Sequence, residues 1–440
     1  MGSSLRSVYS LLLGMGILLM GSGLIGTLLG LRAQSEGFSE LAIGMVMSAF
    51  FIGYIAGSWI IPGVIARVGH IRTFAALAAL SAVAALLHGL WIDPIVWWVL
   101  RLINGISLLG SYMVIESWLN EQVVKKRGQV FAIYMMTSLF ALGAGQFLLL
   151  IYGPESIQTF MLVAILFAFG LIPIALTPVT QPVPIQTARL PLRDLYQRAP
   201  VGTVGAGVSG LVTGSFWGLA AVFARDVGLG DAGVAAFLSA AIFGGALLQY
   251  PIGHASDGRD RRKALMVVAG LAALGSVGIY LTIGMTPILL IGLGLLWGGF
   301  AFSLYALSVA QTYDRLDASE ALEATRGLLL MNGIGSAVGP MLAGLILLLT
   351  SASALPLAFA ALLLGYILYV ARQLRREAPV PPPEMADFVP VMRTSPVAAD
   401  IDPRTESDPH ETVTLHPGGE KNPDGDPSTP EAGMVNARTP

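Results

Sequence analysis

The sequence predicts an all-α membrane protein whose twelve spans form two six-helix bundles, and three observations carry that prediction. Apolar residues make up 55% of the 440 and charged residues only 12%, about half the share of roughly 25% found in soluble domains. Apolar runs of about 20 residues, the length a helix needs to cross a bilayer, recur as far as residue 372. Features of the first half return in the second: Arg127-Gly128 is followed 199 residues later by Arg326-Gly327, and Tyr112 corresponds in depth to Tyr305.

The spans are expected at about 8–31, 41–64, 73–92, 95–119, 128–152 and 157–177, then 201–224, 233–252, 264–284, 287–312, 325–350 and 353–371. The first is too long for a signal peptide and lacks a small-residue cleavage site, so it stays as a helix. Residues 1–178 and 201–376 are then the two bundles, joined by a Pro-containing, charged linker over 179–200. With the N-terminus inside, the inner loops and ends of these bundles hold 18 Lys and Arg, and the outer loops hold only Arg32 and Arg225. Retention of positive charge in the cytoplasm therefore places both termini there.

From 377 to 440 the composition changes: this stretch holds 13 of the 26 prolines and carries 12 acids against 4 bases. It has too few apolar residues to offset the entropy of ordering, so a disordered, dispensable cytoplasmic tail is expected.

The run Gly253-x-x-x-Asp257-x-x-x-Arg261-Arg262-Lys263 falls between the second and third spans of the second set. It resembles the G-x-x-x-D-R-x-G-R-R/K signature of the major facilitator superfamily, with Gly258 in place of Arg and Asp260 in place of Gly. The matching turn of the first set keeps Arg67 and Gly69 but has Ala66 in the Asp position and Pro62 in the Gly position. Arg101-x-x-Asn104-Gly105 resembles the family's R-x-x-x-G element. ARVGHIRTFA, YMVIESWLNEQ and SFWGL are similar to stretches of its bacterial YcaD-like branch, a likeness that implies no substrate. The resemblance covers about 370 residues. It implies a secondary active transporter of the bacterial inner membrane that works by alternating access, with spans one, four, seven and ten around the substrate path.

The resemblance also implies that the charged turns clasp the two halves at the cytoplasmic side, with Asp257 meeting the start of the fifth span near Arg127. Asp257, Arg261 and Arg262 are thus expected gate residues. Because Arg67 lacks an acidic neighbour, a swapped contact is expected in which it bonds Glu320 or Glu323, just before the eleventh span. The plainer reading of Arg67 is that it only satisfies the positive-inside preference.

An ionised side chain at mid-membrane costs roughly 2.5–3.5 kcal/mol on insertion scales, so such residues mark function. Arg101 and Glu116 lie within the fourth span, and at 100° per residue they share a stripe with Gly105, Leu108 and Tyr112. Arg101 suits an anionic group, tuning of a carboxyl, or bracing of the first span. Glu116 suits proton exchange, or pairing with Arg67 or Arg72. In the second set Thr213, Phe216, Trp217, Trp297, Tyr305 and Ser308 offer aromatic and hydroxyl surface, Trp217 and Tyr305 being the leading candidates. GIGSAVGPMLAG, from Gly333, reads as close helix packing.

There is no cysteine, no P-loop and no H-E-x-x-H, which removes thiolate metal sites, ATP hydrolysis and the common zinc-protease pattern. No cofactor, metal, nucleic-acid partner or enzymatic activity is expected. The expected partners are a small-molecule substrate, protons and the bilayer, with the monomer as the working unit. A membrane scaffold or sensor acting through its acidic tail is the alternative, and deleting the residues after Glu377 separates the two.

Overall fold

The computed structural model describes residues 2–122, 127–176, 191–316 and 320–381, together with 385, 388 and 394–397. Among the described residues twelve helices are long and apolar enough to cross a membrane, as the sequence predicts. They are α1 (Gly2–Ser35), α2 (Glu40–Val68), α3 (His70–Leu90), α4 (Pro94–Gln122), α5 (Arg127–Phe147), α6 (Ile157–Ala175), α7 (Pro200–Asp226), α8 (Asp231–Ala255), α9 (Arg261–Leu281), α10 (Pro287–Tyr313), α11 (Ala321–Leu349) and α12 (Leu355–Leu374). The linker contributes a short helix, Leu192–Arg198.

Several helix ends are closed by a neighbouring side chain or glycine, which takes up backbone groups left without an intrahelical partner. The Ser39 hydroxyl accepts from the Ala42 N–H at 3.3 Å to cap α2. Asp93 accepts from the N–H groups of Ile95 and Val96 at 2.9 and 3.0 Å to open α4. Gly69, at φ 85°, turns α2 into α3 in one residue, so α3 begins three residues earlier than the apolar run suggested. Gly153 closes a separate turn, Leu149–Tyr152, and α5 is therefore shorter than its hydrophobic stretch.

The packing repeats. In the first set α2 lies on α4, α1 on α5 and α6, and α3 on α4 and α6; in the second α8 lies on α10, α7 on α11 and α12, and α9 on α10 and α12. The α2–α4 crossing is a backbone contact: a Cβ on Gly53 would fall 2.0 Å from the Leu102 carbonyl oxygen, and one on Gly105 1.9 Å from that of Phe50. About 190 residues on, Gly244 and Gly298 repeat this with Leu295 and Ala241 at 1.8 and 2.1 Å. Large apolar side chains such as Leu80, Leu274 and Leu368 point outward, as a lipid solvent permits.

The halves touch through α2 and α11, α5 and α8, and α1 and α7. These contacts gather toward the end that carries the α1–α2 and α7–α8 turns. There Gly44 abuts the Pro340 carbonyl, Gly344 abuts that of Glu40, Ser239 donates to the Gly143 carbonyl at 2.8 Å, and Gln34 bonds Asp226. Among the described residues no backbone hydrogen bond or glycine-to-backbone contact joins the halves directly toward the opposite end, which carries the α2–α3 and α8–α9 turns, and there they part.

Candidate functional site

Between the two halves lies a cavity of about 270 Å³. Its walls come from α1 (Ser22, Gly26), α2 (Met47, Phe50, Tyr54), α4 (Arg101, Leu108, Tyr112), α5 (Ser138), α7 (Thr213, Trp217), α8 (Gln249) and α11 (Arg326, Asn332). Arg101, Tyr112 and Trp217 therefore share one space, contributed by both sets. Trp217 is held by stacking on Phe302, with ring centroids 6.3 Å apart, and Tyr112 meets Tyr54 edge-on at 6.5 Å.

The approach of Gly105 to α2 sets the position of Arg101 one turn earlier on the same helix. Its guanidinium carbon lies 4.5 Å from the centre of the Phe50 ring, and Nη2 is 3.8 Å from the Met47 sulfur. Arg101 is only 6% exposed, its Nε has no hydrogen-bond partner, and no carboxylate pairs with it among the described residues. A guanidinium against an aromatic face and a thioether keeps part of its charge stabilisation without neutralisation. The cavity thus carries positive potential at a fixed point.

Glu116, fully buried, sits further along the same stripe toward the end where the halves part. The Tyr134 phenol of α5 donates to Oε1 at 2.7 Å. The same oxygen accepts the hydroxyl of Thr394, and Oε2 accepts that of Ser395. Glu116 does not pair with Arg67 or Arg72, both of which are exposed. The segment after Glu377, expected to be disordered, is thus buried at Phe388 and at Thr394–Val397, because it supplies hydroxyl and apolar groups that the cavity accepts.

Among the described residues the expected gate residues Asp257, Arg261 and Arg262 bond to the second set and to the segment after it. Asp257 accepts from Arg261 at 2.8 Å and from the Phe388 N–H at 2.9 Å, and lies 3.1 Å from His254 Nδ1. Arg261, 1% exposed, also pairs with Asp314 at the end of α10. Arg262 makes a two-pronged contact with Asp260, at 2.9 and 2.8 Å, and its Nη1 donates to the Glu377 carbonyl at 2.9 Å. Burial alone would raise the Asp260 carboxyl, but the hydrogen bonds and charge of Arg262 outweigh it and hold Asp260 below its ordinary value. Glu320 pairs with Arg198 of the linker helix at 2.6 and 2.5 Å, not with Arg67. The swapped contact is not made here, because Arg198 of the linker helix occupies both oxygens of Glu320 and Arg67 is exposed; Glu323 is half-buried at the start of α11. The side chain of Arg127, expected near Asp257, lies outside the described residues.

Tyr305 departs from the expected pathway. It is 1% exposed and packs with Leu195, Ala206, Val309, Ala324 and Leu328, behind the cavity wall. Phe216 and Trp297 likewise pack the second set's interior, their rings 5.2 Å apart, and the Trp297 indole donates to Ser276 at 2.8 Å. Helix α10 is thus absent from the wall, to which α2, α5, α8 and α11 contribute besides α1, α4 and α7. Sequence reasoning missed Phe50, Tyr54, Tyr134, Gln249 and Asn332, which carry no charge. Arg326 is legible as a charge next to an apolar run, but the sequence marks it as a repeat of Arg127 and a cytoplasmic charge rather than as a cavity residue.

The description "Major Facilitator Superfamily" matches residues 11–201 and again 202–405. An uncharacterised transporter of that type from Escherichia fergusonii, YcaD, is 26% identical over 373 residues, covering 84% of this chain and 96% of its own. The solved nucleoside transporter NupG superposes with a TM-score of 0.68 at 14% identity, covering 86% of this chain and all of its own. A bacterial homologue of the human lysosomal transporter Spinster, solved in an inward-facing and occupied conformation, gives 0.65 at 15% identity over 84% of this chain and 97% of its own.

Proposed function

The chain belongs to the major facilitator superfamily and is a multi-pass membrane transporter, and from that premise we propose that it carries an amphipathic organic anion by proton-coupled secondary transport across the bacterial inner membrane. Its termini are cytoplasmic, by the distribution of Lys and Arg. The end where the halves part is then the cytoplasmic one, so this conformation faces inward.

One observation carries the substrate class: a buried guanidinium without a carboxylate partner among the described residues, facing the cavity between the halves. Burying a cation costs several kcal/mol unless something repays it. A substrate anion would do so, and Phe50, Phe51, Tyr54 and Trp217 would take its apolar part. Glu116 is the proton carrier in this reading: it is buried, and Tyr134 holds it by a phenol that bonds either protonation state. The bundles 1–178 and 201–376 rock about the linker 179–200, with the monomer as the working unit. In the outward-facing state Arg67 reaches Glu320 or Glu323, and Asp257, Arg261 and Arg262 hold the second set's side of the gate.

Proteoliposomes under an imposed pH gradient test this. A panel of aryl carboxylates is compared with the corresponding neutral amides, on the intact protein and on Arg101→Gln. Accumulation of carboxylates alone, lost in Arg101→Gln at unchanged melting temperature, is expected. Equal accumulation of the amides would overturn the anion assignment.

A further inference from the structure

Described residues beyond α12 lie against the second set and in the cavity wall. Glu377 pairs with Arg315 at 2.7 Å, and its carbonyl accepts from Arg262 at 2.9 Å, which fixes the exit from the bundle. Phe388, 7% exposed, lies against Gly253 of α8 and donates its N–H to Asp257 at 2.9 Å. Thr394, Ser395 and Val397 are 7%, 2% and 0% exposed. Thr394 and Pro396 form part of the cavity lining, the Thr394 carbonyl accepts the Tyr54 phenol, and the two hydroxyls donate to the two oxygens of Glu116.

The sequence around the docked residues Phe388 and Thr394–Val397 differs from its flanks. In a tail of 12 acids, the residues from Phe388 to Ala399 (FVPVMRTSPVAA) contain none, whereas Asp387 and Asp400 bound them. An acid-free island, apolar and hydroxyl-bearing apart from Arg393, can seat against the buried Glu116 carboxylate beside the cavity; the acidic residues on either side cannot follow it without repulsion and desolvation.

We propose that the parted end of this cavity is a peptide-docking site whose occupant is the chain's own Thr394–Val397 segment, which plugs the transporter. The plug fills both oxygens of Glu116 and takes up the Tyr54 phenol, so the carboxylate is withheld from any other ligand while it is seated. Because the segment stands between the two halves, they also cannot close at that end until it leaves. A negative charge added at Thr394 or Ser395, by modification of either hydroxyl, would face Glu116 directly and release the plug.

Docking itself does not depend on the transport reading, and its test needs no substrate. The chain has no cysteine, so Ser138→Cys in the cavity wall gives a single thiol reporter. Its reaction with a membrane-impermeant maleimide is followed in inside-out vesicles. Labelling should quicken at least about tenfold when the chain ends at Pro381, the loss expected from breaking one hydrogen bond to a charged group. The full-length double variant Thr394→Glu, Ser395→Glu should quicken it similarly, and it covers the case in which the shortened chain fails to fold. A synthetic peptide of residues 385–400 should restore slow labelling to the shortened chain. Equal rates in intact, shortened and doubly substituted chains would overturn the proposal, as would equal protection by a peptide with Ala at positions 394 and 395.

Discussion

Gly105 of α4 and Phe50 of α2 are in backbone contact, and a Cβ on Gly105 would fall 1.9 Å from the Phe50 carbonyl oxygen. No side-chain rotation relieves that approach, so Gly105→Ala must push the helices apart. Overpacking of this kind costs about 1–3 kcal/mol. The expected result is a clearly lower melting temperature in detergent, with Gly298→Ala, 2.1 Å from the Ala241 carbonyl, behaving alike. Gly365→Ala in α12, where nothing lies within 4 Å, should leave stability unchanged or slightly raised.

The same contact holds the Arg101 guanidinium over Phe50, and that arrangement is specific to a planar cation. Phe50→Leu and Arg101→Lys should each weaken binding of an organic anion by about 0.5–2 kcal/mol, the range of a cation–π contact, or roughly 2- to 30-fold. Titration calorimetry with the best carboxylate from the transport panel reads this. Unchanged affinity in both variants would remove Arg101 from the binding site.

A substitution at Glu116 tests proton coupling apart from translocation. Glu116→Gln keeps the shape and an acceptor for the Tyr134 phenol but carries no exchangeable proton charge. Accumulation driven by a pH gradient should vanish, while downhill exchange of the same anion continues. If uphill accumulation persists with the wild-type pH profile, the proton travels by another residue.

Asp260 caps α9, accepting from the Arg262 N–H at 3.1 Å, besides its contacts with the Arg262 side chain. Removal of such a cap costs about 1 kcal/mol, and Asp260→Ala should lower thermal stability at pH 7 by that order. Because the folded carboxyl lies below its ordinary value, this contribution is present above the unfolded-state value and is lost as pH falls through the folded one. The difference between the variant and the wild type should therefore shrink in acid. A gap that widens below pH 4 would contradict the sign.

The Arg198–Glu320 pair is more than a quarter exposed on each side, so its removal should cost little stability, about 0–1 kcal/mol. Its effect is expected on the gate instead. Arg67→Glu should cripple transport, and Glu320→Lys or Glu323→Lys in that background should restore part of it. Absence of rescue by either would leave Arg67 as a topological charge only.

The twelve spans, the two sets and the family were legible in the sequence because each rests on properties that add up locally. Hydropathy sums along a run, and the Gly253–Lys263 signature lies within one turn. Arg101 and Glu116 were legible for a related reason: a charge in an apolar helix is conspicuous whatever surrounds it. Tyr305 was not, since an aromatic residue suits a wall and an interior equally, and only its neighbours Leu195 and Ala206 decide between them. Phe50 and Tyr54 were missed on the same ground.

By itself the sequence determined that this chain has twelve membrane spans as a doubled unit, and that Arg101 and Glu116 are charges within one of them; the burial of Arg261, Arg262 and Arg326 came only from the structure. Tertiary structure alone decided that the α2, α5, α8 and α11 faces complete the cavity wall and that Thr394 lies on Glu116, 278 residues away. The physical reason is that a few polar bonds can seat a short segment whose surrounding composition, proline-rich and acidic, points to open water.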